Sequence, residues 1–166
     1  MKEVTVKLLT VIVFPLMFMQ CENQMEKTEN INKKNASLWY EAFDKHDPTI
    51  LDNILSETWY ESPGENKEKV GRENAKRLLV SLTTVFPDFR IRIDDVIQEG
   101  DKVVVRSEIS GTQAKEFIGY PTKNRKIKIQ AIDIHQFKDG KIIHTWHSED
   151  WMTGLKQLGF LEKESQ

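Results

Sequence analysis

A chain of 166 residues with 39% hydrophobic and 30% charged content has the size and apolar share of one globular domain with a modest core. Its formal net charge of −2 provides no basic stripe for a polyanion, so no nucleic-acid partner is expected. The single cysteine, Cys21, excludes an internal disulfide and a cysteine-based zinc cluster.

Residues 8–19, LLTVIVFPLMFM, form one apolar run with Lys2 and Lys7 before it and Cys21 and a polar stretch after it. That is the layout of a signal peptide over residues 1–20. The run is short of the roughly 20 residues a spanning helix needs, and Pro15 weakens it further as a helix. A buried N-terminal helix or short anchor is the plainer alternative. A cysteine directly after such a run resembles a bacterial lipoprotein signal, in which cleavage leaves the cysteine as the lipidated first residue, although Gln20 and Phe18 stand where that pattern has a small and an aliphatic residue. The expectation is an extracytoplasmic protein, in the periplasm or on the cell surface, anchored to a membrane by lipid on Cys21. Residues 21–34 then form a polar tether, and residues 35–162 the folded domain.

From Asn35 to His46 the apolar residues Ala36, Leu38, Trp39, Ala42 and Phe43 recur at helical spacing until HDP stops them. Pro48 opens a short second helix to about Ser56, and ETWYES reads as a short strand ended by Pro63 and Gly64. Residues 71–86 place Ala75, Leu78, Leu79, Leu82 and Phe86 on one face of a third helix. The period then changes. FRIRIDDVIQEG, DKVVVRSEISGTQ, RKIKIQAIDIHQFKDG and KIIHTWHSEDW read as four long strands, and TGLKQLG as a closing helix. Helices first and hairpins after predict an α+β fold in which the N-terminal helices cover one face of a curved antiparallel sheet.

The Asp139-Gly140 pair is a two-residue turn signal that sets Lys138 opposite Lys141. Carried down the hairpin, this register puts His135 opposite His144, Asp133 opposite Trp146, Ala131 opposite Ser148 and Ile129 opposite Asp150 on one face, with His147 and Glu149 on the other. His144 and His147, three apart on a strand, cannot jointly grip a metal. His135 with His144 and Asp133 could form a two-histidine site. A face mixing Trp146, Phe137 and Ile129 with Asp133, His135, His144 and Asp150 suits either a small-molecule pocket or a satisfied polar patch.

The pieces FPDFRIRIDDVIQEGDKVVVR, SGTQAKEFIGYPTKNRKI and IDIHQFKDGKIIHTWHSEDWMTGLKQLG resemble, in order and spacing, the SnoaL-like polyketide cyclase family, also called ester cyclases. That family has the cone-shaped, cystatin-like α+β barrel fold of nuclear transport factor two and ketosteroid isomerase. The resemblance spans residues 35–160 and implies a bent sheet round a pocket, a homodimer paired through the outer sheet face, and aldol-type ring closure with no metal or organic cofactor. It implies Asp150, in W-x-x-x-D with Trp146, as the general acid/base and His135 as the carbonyl donor. Trp146, Asp133, His144, Gln113, Glu61 and Phe117 are the implied substrate contacts. Gln113, Glu61 with Ser62, and His144 depart from the family's usual histidines and glutamate. The implied partner is a small apolar carbonyl compound, and the rival reading is a surface lipoprotein of the same fold that binds a hydrophobic ligand without catalysis.

Overall fold

A computed structural model describes residues 27–29, 31–62 and 71–161. The expected signal peptide and Cys21 lie outside the described residues. Residues 31–44 form helix α1, which starts earlier than the Asn35 read from the sequence. Residues 27–29 and 31–34, assigned to the tether, are helical, and Asn32 is buried. One face of α1 carries Ala36, Trp39, Tyr40 and Phe43 into the core. The helix stops where His46 takes a left-handed φ of 54°, and Asp47 accepts from the Thr49 backbone N–H to cap a 3-10 turn, Pro48–Ile50.

That turn runs into α2 (Leu51–Ile54) and strand β1 (Leu55–Ser62). Helix α3 (Arg72–Val85) buries Ala75 and Leu79, the positions its period predicts. Strands β2 (Arg90–Glu99), β3 (Lys102–Thr112), β4 (Lys126–Lys138) and β5 (Lys141–Glu149) follow, and α4 (Trp151–Leu158) closes the domain. The sheet order is β1-β5-β4-β3-β2. β1 pairs parallel to β5, whereas the other neighbours are antiparallel, so the sheet is mixed where a wholly antiparallel one was expected. The α+β class stands.

Strict alternation buries Val103, Val105, Ser107 and Ile109 of β3 and Ile127, Ile129, Ala131, Asp133, His135 and Phe137 of β4 on one inner face. Helices α1 and α3 pack over it. Gly111 of β3 lets Phe86 approach closely, because a Cβ there would stand 3.0 Å from Phe86 Cβ, tighter than ordinary packing.

The final hairpin decides which side chains share that inner face. Asp139 and Gly140, with φ of 51° and 73°, make the expected two-residue turn, and Lys138 pairs with Lys141 and Phe137 with Ile142. Ile143 is then an extra residue, a β-bulge, because Gln136 pairs with His144. Beyond it every pairing is one residue off the turn-set register: His135 faces Thr145, Asp133 faces His147 and Ala131 faces Glu149. The expected pairs His135 with His144, Asp133 with Trp146, Ala131 with Ser148 and Ile129 with Asp150 do not form. A slip of one residue exchanges the two faces of a strand. His147 and Glu149 therefore turn inward, and His144 and Trp146 turn out.

Candidate active site

Between the helices and the inner face lies a hollow of about 560 Å³. Trp39 and Phe43 of α1, Leu78 and Leu82 of α3, and Phe117 and Trp151 supply much of its apolar wall. Its polar side is made by Glu61, Ser107, Asp133, His147, Ser148 and Glu149. Few polar groups in an apolar concavity is the composition of a small-molecule site.

A continuous hydrogen-bond chain stands behind that polar side. Trp59 Nε1 can only donate, and it lies 3.0 Å from Thr145 Oγ1. Thr145 Oγ1 is 3.0 Å from His135 Nδ1, His135 Nε2 is 3.0 Å from Tyr40 Oη, and Tyr40 Oη donates to Asp133 Oδ2 at 2.8 Å. Donor and acceptor roles follow from the two ends. Trp59 donates to Thr145, Thr145 donates to Nδ1 of His135, and His135, a neutral Nε2–H tautomer, donates to Tyr40. Each link fixes the next, and the last fixes the Asp133 carboxylate. On its other oxygen Asp133 accepts from His147 Nδ1 at 2.6 Å.

The two inward imidazoles are thereby driven in opposite directions. His135 is fully buried, and burial lowers its pKa to about 4 against the pull of Asp133. Burial also works against the His147 cation, but the hydrogen bond to Asp133, the nearby Glu61 carboxylate and the charge of Asp133 outweigh it and raise the pKa to about 10. His147 is an imidazolium at neutral pH. Its Nε2 stands 3.3 Å from Glu61 Oε2, an ion-pair distance, yet the N–H is not aligned on a hydrogen-bond acceptor. Ser107 also lines the hollow, and its Oγ is buried without a partner. Glu149 is exposed at its place on the wall, yet desolvation by the surrounding protein raises its pKa, against the hydrogen bond from Trp151 Nε1 at 2.6 Å and the His147 charge. Burial raises the Tyr40 hydroxyl, and Asp133 reinforces this, which keeps it a donor.

The residues expected from sequence divide accordingly. Asp133, Glu61 and Phe117 line the hollow. His135 does not: it is walled off behind Tyr40 and Thr145, where it cannot touch a ligand. Asp150 is exposed, and its carboxylate accepts from the Thr153 backbone N–H at 3.1 Å as the N-cap of α4. Hydrogen bonds from Thr153 lower its pKa, the opposite of what a general base needs. It is an N-cap and not a wall of the hollow, and its expected place there is corrected on that geometry. His144 and Trp146 pack at a tilt of 46° on the outer face, ring centroids 3.6 Å apart, and Tyr60 stacks on the imidazole at 3.9 Å. The sheet thus separates His144 from His135 and Asp133, and the two-histidine metal grouping does not assemble. Gln113 is fully buried but serves the loop after β3, donating to Lys115 O at 2.9 Å.

The model of the family "SnoaL-like polyketide cyclase" matches residues 34–158. The chain belongs to that family. Among solved structures, TsrD from Streptomyces laurentii is similar over 80% of this chain and 97% of its own, with 26% identity and a TM-score of 0.74. IdmH of Streptomyces antibioticus, described as a candidate polyketide cyclase, shares 26% identity over 77% of this chain and 98% of its own, with a TM-score of 0.67. A candidate polyketide cyclase from Bacillus cereus ATCC 10987 shares 29% identity over 75% of this chain and 78% of its own, with a TM-score of 0.64. Among curated proteins none matches the sequence.

In this SnoaL-like chain the groups that reach the hollow but escaped the sequence reading include His147, Glu149, Ser107 and Trp151. His147 and Glu149 were set on the wrong face by the unbulged register. For Asp150 a signal was present: an aspartate directly before an apolar helical stretch is an N-cap signature.

Proposed function

We propose that the hollow performs general acid/base chemistry on a small, mostly apolar carbonyl compound, an aldol-type cyclisation or an isomerisation. The observation that carries this reading is His147, a buried imidazolium on the wall of the hollow whose Nε2–H has no aligned acceptor and stands 3.3 Å from Glu61 Oε2. A carbonyl oxygen placed there gains a cationic donor where negative charge develops. Glu149 is the base: its raised pKa makes its carboxylate a stronger proton acceptor than an ordinary glutamate. It takes the proton from the carbon next to the carbonyl, and the electron pair moves to oxygen to give an enolate held by His147. In a cyclisation the enolate carbon attacks a second carbonyl of the same molecule, and Glu149 returns its proton to the new alkoxide. In an isomerisation the proton returns to a different carbon. Ser107 Oγ supplies a further polar contact.

The test is deuterium exchange at the carbon next to the carbonyl across a panel of apolar ketones, read by mass spectrometry. Glu149→Gln should slow exchange by about 10² to 10⁴, and unchanged exchange in that variant would refute the assignment. The wall favours a second reading, because nine of the fifteen lining residues are apolar and Glu149 is already bonded to Trp151. A non-catalytic carrier of a hydrophobic ligand would retain a co-purifying molecule and exchange no ketone.

The sequence also supports an extracytoplasmic lipoprotein anchored at Cys21. Incorporation of labelled fatty acid that survives Cys21→Ser would sink it. A homodimer through the outer sheet face belongs to the same proposal, and a sedimentation coefficient constant with concentration at the monomer value would exclude it.

A further inference from the structure

Two segments that line the hollow also present apolar side chains to solvent. The loop after β3 exposes Ile118 and Tyr120, by 61% and 45%, and the closing segment exposes Met152 and Leu161, by 59% and 49%. The two segments are joined: Phe117 packs on Trp151 with ring centroids 5.2 Å apart, Tyr120 stacks on Phe160 at 4.4 Å, and Lys123 Nζ donates to Gly159 O at 2.8 Å. Phe117 and Trp151, the chain neighbours of Ile118 and Met152, are also walls of the hollow. The same two segments thus supply both walls of the hollow and exposed apolar tips.

Two further observations say what this rim meets. Ile118 holds a left-handed φ of 46°, a conformation a β-branched residue adopts only at a cost. The strain is met at a mostly exposed position, where the side chain recovers little burial from the fold. Charge supplies the second observation. Residues 114–126 and 149–161 carry Lys115, Lys123, Arg125, Lys126 and Lys156 against Glu116, Glu149 and Asp150, a net charge of +2 in a chain whose net charge is −2. Apolar and aromatic tips set among lysine and arginine match an anionic lipid surface, where the tips enter the headgroup region and the cations meet lipid phosphates.

We propose that the rim formed by Ile118, Tyr120, Met152 and Leu161 docks on an anionic membrane surface and lets apolar molecules pass between the bilayer and the hollow. The inference is independent of any chemistry at Glu149 and of lipid at Cys21. It is tested with the full chain carrying Cys21→Ser and one new cysteine, either Ile118→Cys or Ile97→Cys, labelled with a polarity-sensitive dye. Ile97 is 64% exposed on β2 and lies toward the Gly100 turn, at the other end of the sheet from the rim. Vesicles of phosphatidylethanolamine with phosphatidylglycerol should shift the emission of the dye at position 118 to the blue and leave that at 97 unchanged, with the shift reduced by salt. Equal shifts at both positions, or none at either, overturn the proposal. A shift at 118 that grows with protein concentration in lipid-free buffer identifies a second copy as the occupant, and also overturns it. Lys115→Ala with Lys126→Ala should weaken vesicle binding by roughly fivefold per residue. Ile118→Asn removes the apolar tip and suits the left-handed backbone better. Lost binding with an undiminished Tm then separates docking from misfolding, and undiminished binding refutes the rim.

Discussion

Replacing Asp133 by Asn tests the polar centre most directly, because the variant keeps the shape and removes one charge. His147 and Asp133 are 2.6 Å apart with side chains 18% and 5% exposed, so solvent screens the pair little. Without the carboxylate, burial governs His147, and its pKa falls from about 10 toward the ordinary 6.5. A base whose folded pKa lies above its unfolded one adds stability that is fully present below about pH 6.5 and is lost as pH rises through the folded pKa. With 1.36 kcal/mol per pK unit, the rise contributes about 4 kcal/mol at pH 7 and less than about 1 kcal/mol at pH 10. Removing one partner of a buried pair typically costs about 3–5 kcal/mol, which agrees. Guanidinium unfolding followed by tryptophan fluorescence should give Asp133→Asn a deficit of about 4 kcal/mol at pH 7 that shrinks to about 1 kcal/mol or less at pH 10. A deficit that does not change with pH, or a His147 imidazole that titrates near 6.5 by NMR in the unsubstituted protein, would refute the reasoning.

The acid limb has the opposite sign. His135 is held neutral with a pKa of about 4, so its contribution is intact above about pH 6.5 and is lost as pH falls toward 4. The loss should approach about 3 kcal/mol in unfolding experiments, with a neutral Nε2–H imidazole seen by NMR at pH 5. Thr145→Val conserves volume but strands both Trp59 Nε1 and His135 Nδ1 in the core. It should cost about 2–4 kcal/mol by unfolding, well above a surface substitution. Asp150→Asn keeps an N-capping side chain on α4, so both Tm and exchange activity should match the unsubstituted protein, whereas a large loss of turnover would restore Asp150 to the chemistry.

Much of the fold was legible because burial follows simple periods. Ala75 and Leu79 of α3 and the alternate residues of β3 and β4 are buried where a repeat of 3.6 or 2 puts them. The turn at Asp139-Gly140 was legible from the chemistry of two residues. The parallel pairing of β1 with β5 was not, because it joins residues more than eighty apart, such as Tyr60 with His144, and no local pattern encodes it. Nor did the sequence separate His135, sealed in the core, from Asp133, two residues away on the same face and open to the hollow. Which of two inward side chains meets the cavity depends on the elements laid over them, here Tyr40 of α1.

One residue, Ile143, accounts for most of the difference between the site expected and the site found. Upstream of it Ile142 points inward opposite Phe137, and downstream the inward set becomes Thr145, His147 and Glu149. An unbulged strand would have carried His144 and Trp146 inward and turned His147 and Glu149 to the outer face, leaving Asp133 with no imidazolium. The bulge also leaves His144 free for the outer face, where Tyr60 and Trp146 enclose it and Ser62 Oγ reaches its Nε2 at 3.0 Å. The chemistry proposed for the hollow therefore rests on a backbone irregularity and not on the unusual wealth of histidine in the last strand. Three neighbouring residues, His144, Trp146 and His147, look equivalent in the sequence, and the parity set at Ile143 sends only the last of them to the site.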